Sequence, residues 1–121
     1  MSQFIDVLHR AAQHLRLSLS KATFARRVVE HNYCGEMLKV NIEDPLGQAW
    51  YDGDWPQLHE IDLLTSSRLK PGALVYDLGS HQGVVAMILA RKAGTSGKVI
   101  CAEPSPHNYR CLIANAKING I

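Results

Sequence analysis

Apolar residues recur every three or four positions near the start of the chain, at Phe4, Leu8, Ala11 and Leu15. This spacing places them on one face and predicts an amphipathic helix over residues 3–17. The continuation of this segment is basic and contains serine, a composition that is also typical of an organelle transit peptide. A helix that packs at the edge of a domain explains the same pattern, and we favour that interpretation.

The next segment alternates apolar and polar residues. In MLKVNIED, the apolar residues Leu38, Val40 and Ile42 are separated by single polar residues, which predicts a strand with one buried face. The preceding FARRVVEHNY is predicted to pair with it as a hairpin across residues 34–36. QAWY is predicted to add a third short strand after a DPLG turn. Together these segments predict a small antiparallel sheet.

The stretch DGDWPQ predicts the start of another helix. Asp54 can cap it, Pro56 is tolerated in a first turn, and Gln57 occupies the reciprocal capping position. We expect this helix to end near Ser67, because the residue before Pro71 is steered away from helical angles.

The remaining chain predicts a strand in ALVYDLG, a helix in VVAMILARKA ended by Gly94, a strand in GKVICAE and a helix in SPHNYRCLIANAKING. This order is typical of a parallel sheet. We therefore predict an α/β fold, with an N-terminal helix and antiparallel strands over residues 1–55 and a Rossmann-like unit over residues 56–121.

Candidate chemistry lies at the carboxyl ends of the two predicted parallel strands, where open α/β sheets bind ligands. The first strand, residues 75–78, is expected to be buried, and it leads into a turn that contains Gly79 and Gly83. Glycine allows unusual backbone angles and close approach of a ligand. Asp77 can accept hydrogen bonds from the turn or from a ligand ammonium group.

The second strand ends at Glu103, about twenty residues after the glycine turn. An acidic residue at this distance often binds the hydroxyls of a nucleoside ribose. Dinucleotide sites favour GxGxxG and a helix start that receives a pyrophosphate, whereas this turn reads DxGxxxG. The acidic residue favours the cationic amino-acid part of S-adenosylmethionine. An NAD-binding dehydrogenase fragment is the alternative.

The stretches WPQLHEIDLL, LKPGALVYDLGSHQGVVAMILA and GKVICAEPSPHNYRCLIANAKING resemble the FkbM-type S-adenosylmethionine-dependent methyltransferases over residues 50–121. The resemblance implies methyl transfer to an oxygen of a sugar or a secondary metabolite. It also implies a set of cofactor-binding residues on the methionine, ribose and adenine sides and in the helix before the turn, which are Asp77, Gly79, Ser80, Gly83, Glu103, Pro104, Ser105 and Glu60.

Only the first part of the family's fold of about seven strands is expected here, so the resemblance implies a truncated Rossmann-like sheet. Such a fragment would hold the cofactor half of the site without the acceptor pocket or a general base, and we expect it to be inactive alone. Its open sheet edge would favour self-association. A non-catalytic nucleotide-binding or interaction module is a further alternative, which we rank above the NAD-binding dehydrogenase fragment.

Composition adds few constraints. With 46% hydrophobic and 20% charged residues and no apolar run of about 20 residues, the chain is expected to be a cytoplasmic globular domain without a membrane span. The three cysteines have no CxxC spacing, which disfavours a metal site. Residues 61–121 carry seven basic and three acidic groups, but the basic ones are scattered, so no nucleic-acid partner is expected.

Several other residues have plain structural interpretations. His81 is expected to be solvated or bonded to backbone rather than to act as a base. Trp50 and Trp55 are expected to pack the N-terminal unit onto the sheet. The last predicted helix is expected to bury one stripe, formed by Tyr109, Leu112, Ile113 and Ala116.

Overall fold

The computed structural model describes residues 2–121, although in the first helix the side chains of residues 2–6, 8, 17 and 20–22 fall outside the description. Within these residues no helix is both long and apolar enough to cross a bilayer. The elements in chain order are α1 (Ser2–Ala22), β1 (Arg27–Tyr33), β2 (Glu36–Ile42), α2 (Pro45–Tyr51), α3 (His59–Ser67), β3 (Leu74–Leu78), α4 (Val84–Ala93), β4 (Lys98–Ala102) and α5 (Pro106–Ile118).

The first helix is confirmed and is longer than its apolar pattern predicted. Its expected packing at the domain edge is not observed where side chains are described, because Ala11 is exposed and Leu15 is 64% exposed. The predicted contacts of Phe4 and Leu8 lie outside the described side chains. The apolar face of α1 therefore lies in solvent at its described positions.

The predicted hairpin is confirmed, with β1 and β2 antiparallel from the pair Arg27 and Ile42 to the pair Tyr33 and Glu36. Its turn is two residues long, Cys34 and Gly35, and both adopt left-handed φ angles of 55° and 90°. Two such angles match the right-handed twist of the strands, as in type I′ hairpins. Leu38, Val40 and Ile42 of β2 are fully buried, as the alternation predicted.

The predicted third strand, QAWY, is wrong, because these residues belong to helix α2. Asp44 caps this helix by accepting a hydrogen bond from the Gly47 amide at 2.8 Å, and Pro45 occupies its first position. Asp, Pro and Gly are common in turns, but Asp before Pro also starts a helix. The short segment QAWY that follows them is compatible with either a strand or a helix.

The predicted cap at Asp54 is also wrong. Helix α3 begins at His59 after Leu58, which has no capping side chain, and it ends at Ser67 as predicted. Asp54 instead accepts a hydrogen bond from the Asn32 amide at 2.8 Å, and the Trp55 amide donates to the Asn32 carbonyl. These contacts hold residues 54–55 against the end of β1.

The predicted strand, helix, strand, helix order is confirmed, and β3 and β4 pair in parallel from Leu74 and Lys98 to Leu78 and Ala102. Helix α4 contacts both strands on one side, and β2 contacts α4 and α5 on the other. Helices α4 and α5 therefore lie between the parallel sheet and the hairpin. One buried cluster runs through both predicted units, including Tyr33, Leu38, Tyr51, Ile61, Val84 and Ile88.

The expectation that residues 75–78 form a buried strand is wrong for one face of the sheet. Tyr76 is 62% exposed and Leu78 is 78% exposed, and Leu74 and Ile100 lie on the same exposed face. Parallel strands are buried on both faces only when helices cover both. Among the described residues, helices cover the inner face, where Val75 and Val99 contact the core.

The predicted apolar stripe of α5 is also wrong in part. Tyr109 and Ile113 are about half exposed, at 52% and 49%. The buried positions are Leu112, Cys111 and Asn115. This face contacts β2 through Asn115 and the start of α4 through Leu112, so it combines a polar amide with an apolar side chain.

Candidate functional site

The turn after β3 is fixed to the end of β4 by backbone hydrogen bonds. The amides of Gly79 and Ser80 both donate to the Ala102 carbonyl, at 2.8 and 3.2 Å. The Ser80 hydroxyl donates to the Asp77 carbonyl at 2.7 Å, and Ser80 is itself buried. Ser80 therefore shapes the turn through its side chain, while its amide is already engaged with β4.

The two glycines of the turn meet different surroundings, although both have left-handed φ angles of 84° and 86°. A Cβ added at Gly79 would meet nothing within 4 Å, so the backbone there borders open space. A Cβ at Gly83 would lie 2.8 Å from Leu112 Cγ. Gly79 leaves room for a ligand, whereas Gly83 allows the start of α4 to pack closely on α5.

Asp77 lies at the carboxyl end of β3 with one oxygen unsatisfied. Its Oδ2 atom is buried and has no hydrogen-bond partner among the described residues. Burial raises the pKa of Asp77 above its usual range. A buried acceptor without a partner is uncommon, because its desolvation is not compensated. It is a suitable acceptor for a ligand ammonium or hydroxyl group.

Glu103 links the two strand-end segments. Its Oε1 atom accepts the Ser105 amide and its Oε2 atom accepts the His81 amide, each at 2.8 Å. Because these bonds favour the charged form, they lower the pKa of Glu103. Each carboxylate oxygen has a second lone pair that can accept from a ribose hydroxyl. The structure thus brings Asp77 and Glu103 to the same edge of the sheet.

The other predicted site residues have varied positions. Ser105 caps α5, accepting from the Asn108 amide at 3.4 Å, and Pro104 is exposed beside it. Glu60 is exposed in the first turn of α3. Among the described residues, no side-chain hydrogen bond links Glu60 to Ser80, His81 or Gln82 of the glycine turn.

Three aromatic residues that the pattern did not assign to the site meet at this turn. The Tyr51 hydroxyl lies 2.7 Å from His81 Nδ1, and the Trp50 ring centroid lies 4.9 Å from that of His81. The expected bond between the His81 ring and backbone is not observed among the described residues, because the ring contacts these side chains and the His81 amide donates to the Glu103 carboxylate. No spacing rule identifies this contact, since thirty residues separate Tyr51 from His81.

A buried polar cluster supports the turn from below. Gln82 is fully buried, and its Nε2 atom donates to Asp44 Oδ2 at 3.0 Å. The same Asp44 oxygen lies 2.6 Å from His107 Nε2. Burial alone would raise the pKa of Asp44, but hydrogen bonds from Gly47 and His107 outweigh it and the net pKa is lowered. Asp44 therefore holds α2, the turn and α5 together.

Two cavities lie beside α4. One of about 560 Å³ is at the opposite end of the sheet, lined by residues that include Arg91, Lys98 and Ile121. The other, of about 180 Å³, is an apolar gap between α4, β4 and α5, and Gly83 of the turn also lines it. Neither cavity is lined by Asp77 or Glu103, which lie at the strand ends where α/β sheets bind ligands.

The chain is similar to a known methyltransferase. It is 30% identical over 90 residues to the ribosomal protein L11 methyltransferase of Pelotomaculum thermopropionicum. The aligned region covers 74% of this chain and 29% of that protein, so the chain spans less than a third of this relative's length. No family model matches the chain, and no solved structure matches it. The similarity supports methyltransferases in general, and the FkbM type stays a prediction.

Proposed function

We propose that this chain forms the cofactor-binding part of an S-adenosylmethionine-dependent methyltransferase. The observation that carries the proposal is the unsatisfied Oδ2 atom of Asp77 beside the open backbone of Gly79, at the same sheet edge as Glu103. The similarity to a methyltransferase supports it independently.

The cofactor, when bound, supplies an electrophilic methyl group on a sulfonium. Asp77 would accept from the ammonium group of its methionine part, and Glu103 would accept from its ribose hydroxyls. Gly79 and Ser80 would border the methionine side, while Pro104 and Ser105 would border the adenine. Glu103 is held in place by two amides, so its free lone pairs keep a fixed direction. Gly83 and Glu60, which the resemblance also implied, have structural positions that do not require a ligand.

Titration calorimetry with S-adenosylhomocysteine tests the proposal. Glu103→Ala should abolish measurable binding, and Asp77→Asn should weaken it at least tenfold. Asp77→Asn is the more informative variant for ligand binding. Because the Oδ2 atom of Asp77 makes no hydrogen bond within the described protein, replacing it should leave the fold intact. The matched control is Glu30→Gln, an exposed carboxylate on β1 that should bind like the wild type. Equal binding by all variants, or a preference for NAD, would contradict the proposal.

For the acceptor, we propose a hydroxyl of a sugar or secondary metabolite, as in the FkbM type. The similar methyltransferase is instead named for a ribosomal protein, L11. Transfer requires the acceptor aligned behind the methyl carbon, and positioning supplies much of the rate. Because the described parallel sheet has two strands, where the family's fold has about seven, we expect the 121 residues to transfer little labelled methyl to either class of acceptor. Rapid labelling of a sugar acceptor or of ribosomal protein L11 would contradict this expectation.

A second candidate function is an interaction module, favoured by the exposed apolar face of β3 and β4. Leu74, Tyr76 and Leu78 on this face are each more than half exposed. Both strands also have an edge that no described strand pairs with, and open edges promote pairing with another chain. A defined dimer in sedimentation, combined with no binding of S-adenosylhomocysteine, would favour this function. Binding by a monomer would contradict it.

A further inference from the structure

Helix α2 presents aromatic side chains to the glycine turn. Tyr51 is 4% exposed and Trp50 is 53% exposed. The Trp50 ring lies over the His81 ring with an angle of 37° between their planes, and the Tyr51 ring is 5.7 Å from His81. We call Trp50, Tyr51 and His81 the aromatic wall. Within the aromatic wall Tyr51 is buried, whereas the Trp50 ring is open to solvent.

His81 connects the aromatic wall to the candidate site. Its φ angle of 50° is left-handed, which is uncommon for a residue with a side chain. This conformation is held at three points: the amide donates to Glu103, the ring Nδ1 contacts the Tyr51 hydroxyl, and the ring face contacts Trp50. Strained residues held in this way are concentrated at functional sites. The position of Trp50 is therefore coupled to that of Glu103.

The charges beside the aromatic wall are negative. Asp77 and Glu103 form no ion pair with a Lys or Arg among residues 2–121 whose side chains are described. Burial raises the pKa of Tyr51 to about 12, and the charges of Asp77, Asp44 and Glu103 add to this effect. These carboxylates therefore lie within electrostatic range of the wall, and the Tyr51 hydroxyl stays neutral at physiological pH.

We propose that Trp50 is a specificity-determining residue that recognises the positive charge of the sulfonium, so that the site binds S-adenosylmethionine more tightly than its neutral thioether product. This inference rests on the proposed function. The face of an indole ring attracts cations through its quadrupole, more strongly than other aromatic rings do. Here the attraction adds to that of two carboxylates without a basic partner. Preference for the charged ligand also favours release of the product.

Paired titrations of the full chain with S-adenosylmethionine and S-adenosylhomocysteine test this inference. Trp50→Leu keeps an apolar side chain but removes the ring. It should weaken binding of S-adenosylmethionine about five- to tenfold, within the range of cation–π interactions, and change that of S-adenosylhomocysteine less than twofold. Trp50→Phe should retain most of the preference. Tyr76→Leu, an exposed aromatic on the outer face of β3, is the matched control and should change neither affinity.

The outcomes of these titrations distinguish a failure of this inference from a failure of the proposed function. If Trp50→Leu weakens both ligands equally, or neither, the sulfonium recognition is wrong while the methyltransferase proposal stands. If the folded wild-type chain binds neither ligand, the proposed function is wrong and this inference falls with it. Circular dichroism of each variant shows whether the chain tested is folded.

Discussion

Asn119, the residue that caps the C-terminal end of α5, pairs with Lys39 of β2 through both backbone groups of the strand residue. Its Oδ1 atom accepts the Lys39 amide at 2.9 Å, and its Nδ2 atom donates to the Lys39 carbonyl at 2.7 Å. One turn earlier, Asn115 Oδ1 accepts the Asn41 amide at 2.8 Å. The helix thus bonds to the edge of the hairpin as a neighbouring strand would.

Replacing Asn119 should loosen this edge locally. Asn119→Leu leaves the Lys39 amide and carbonyl without protein partners, and we expect the free energy of unfolding to fall by about 1–3 kcal/mol. Hydrogen exchange should accelerate at the Lys39 amide and not at the Asn41 amide, which Asn115 still binds. Lys117→Ala, an exposed change on the same helix, is the control. Uniform acceleration along β2 would contradict a residue-specific role for Asn119.

The two glycines of the turn should differ when each is changed to alanine. Gly79→Ala meets only the left-handed backbone penalty of about 1–2 kcal/mol. Gly83→Ala adds a contact 2.8 Å from Leu112 Cγ, and overpacking of this kind costs a further ~1–3 kcal/mol. Urea unfolding measures both values. Equal losses of stability in the two variants would show that Leu112 of α5 moves to accommodate the added methyl group.

Gly47 offers a test in which two effects oppose each other. Alanine is favoured over glycine inside a helix by about 1 kcal/mol. A Cβ at Gly47, however, would lie 2.7 Å from Oε1 of the fully buried Gln82. We expect the clash to dominate and Gly47→Ala to lower the melting temperature. Gly53→Ala, where a Cβ meets nothing within 4 Å, is the matched control. A stabilised Gly47→Ala would mean that Gln82 moves freely.

Asp77 should make stability fall as pH rises. Its pKa is raised in the folded state by burial, whereas the unfolded value is about 3.9. Below that value both states hold the proton, and stability is lost as pH rises through the folded pKa. Asp77→Asn should remove this decline in urea unfolding measured at increasing pH, starting from the unfolded pKa of about 3.9, although it weakens ligand binding. The control Glu30→Gln should keep it, and an unchanged slope in Asp77→Asn would contradict the assignment.

Local patterns predicted most of the secondary structure. The strand predicted from the alternation in β2 and the predicted strand, helix, strand, helix order were correct. In these segments the spacing of apolar residues along the chain determines which face of the element is buried. The strand assigned to QAWY was wrong, because Asp44 and Pro45 suit a turn and a helix start equally well. The burial of Tyr76 was also wrong, since it depends on a second covering layer rather than on the strand itself.

The candidate site was predicted only where strand topology determines position. Asp77 and Glu103 lie at one edge because parallel strands end together. The contacts of Trp50 and Tyr51 with His81 depend on how α2 packs, which no local spacing encodes. The role of Gly83 could not be predicted from the sequence either. A glycine that allows two helices to pack closely cannot be distinguished, by sequence alone, from one that allows a ligand to approach.

The spacing of the two asparagines has a consequence for the order of folding. Four residues of helix rise about 6 Å, and two residues of strand advance about 6.7 Å, so Asn115 and Asn119 match Asn41 and Lys39 in a single alignment. A slip of one residue in β2 would move Leu38, Val40 and Ile42 out of the core. Because α5 is synthesised after the hairpin, its asparagines can bond to β2 only once residues 115–119 have left the ribosome.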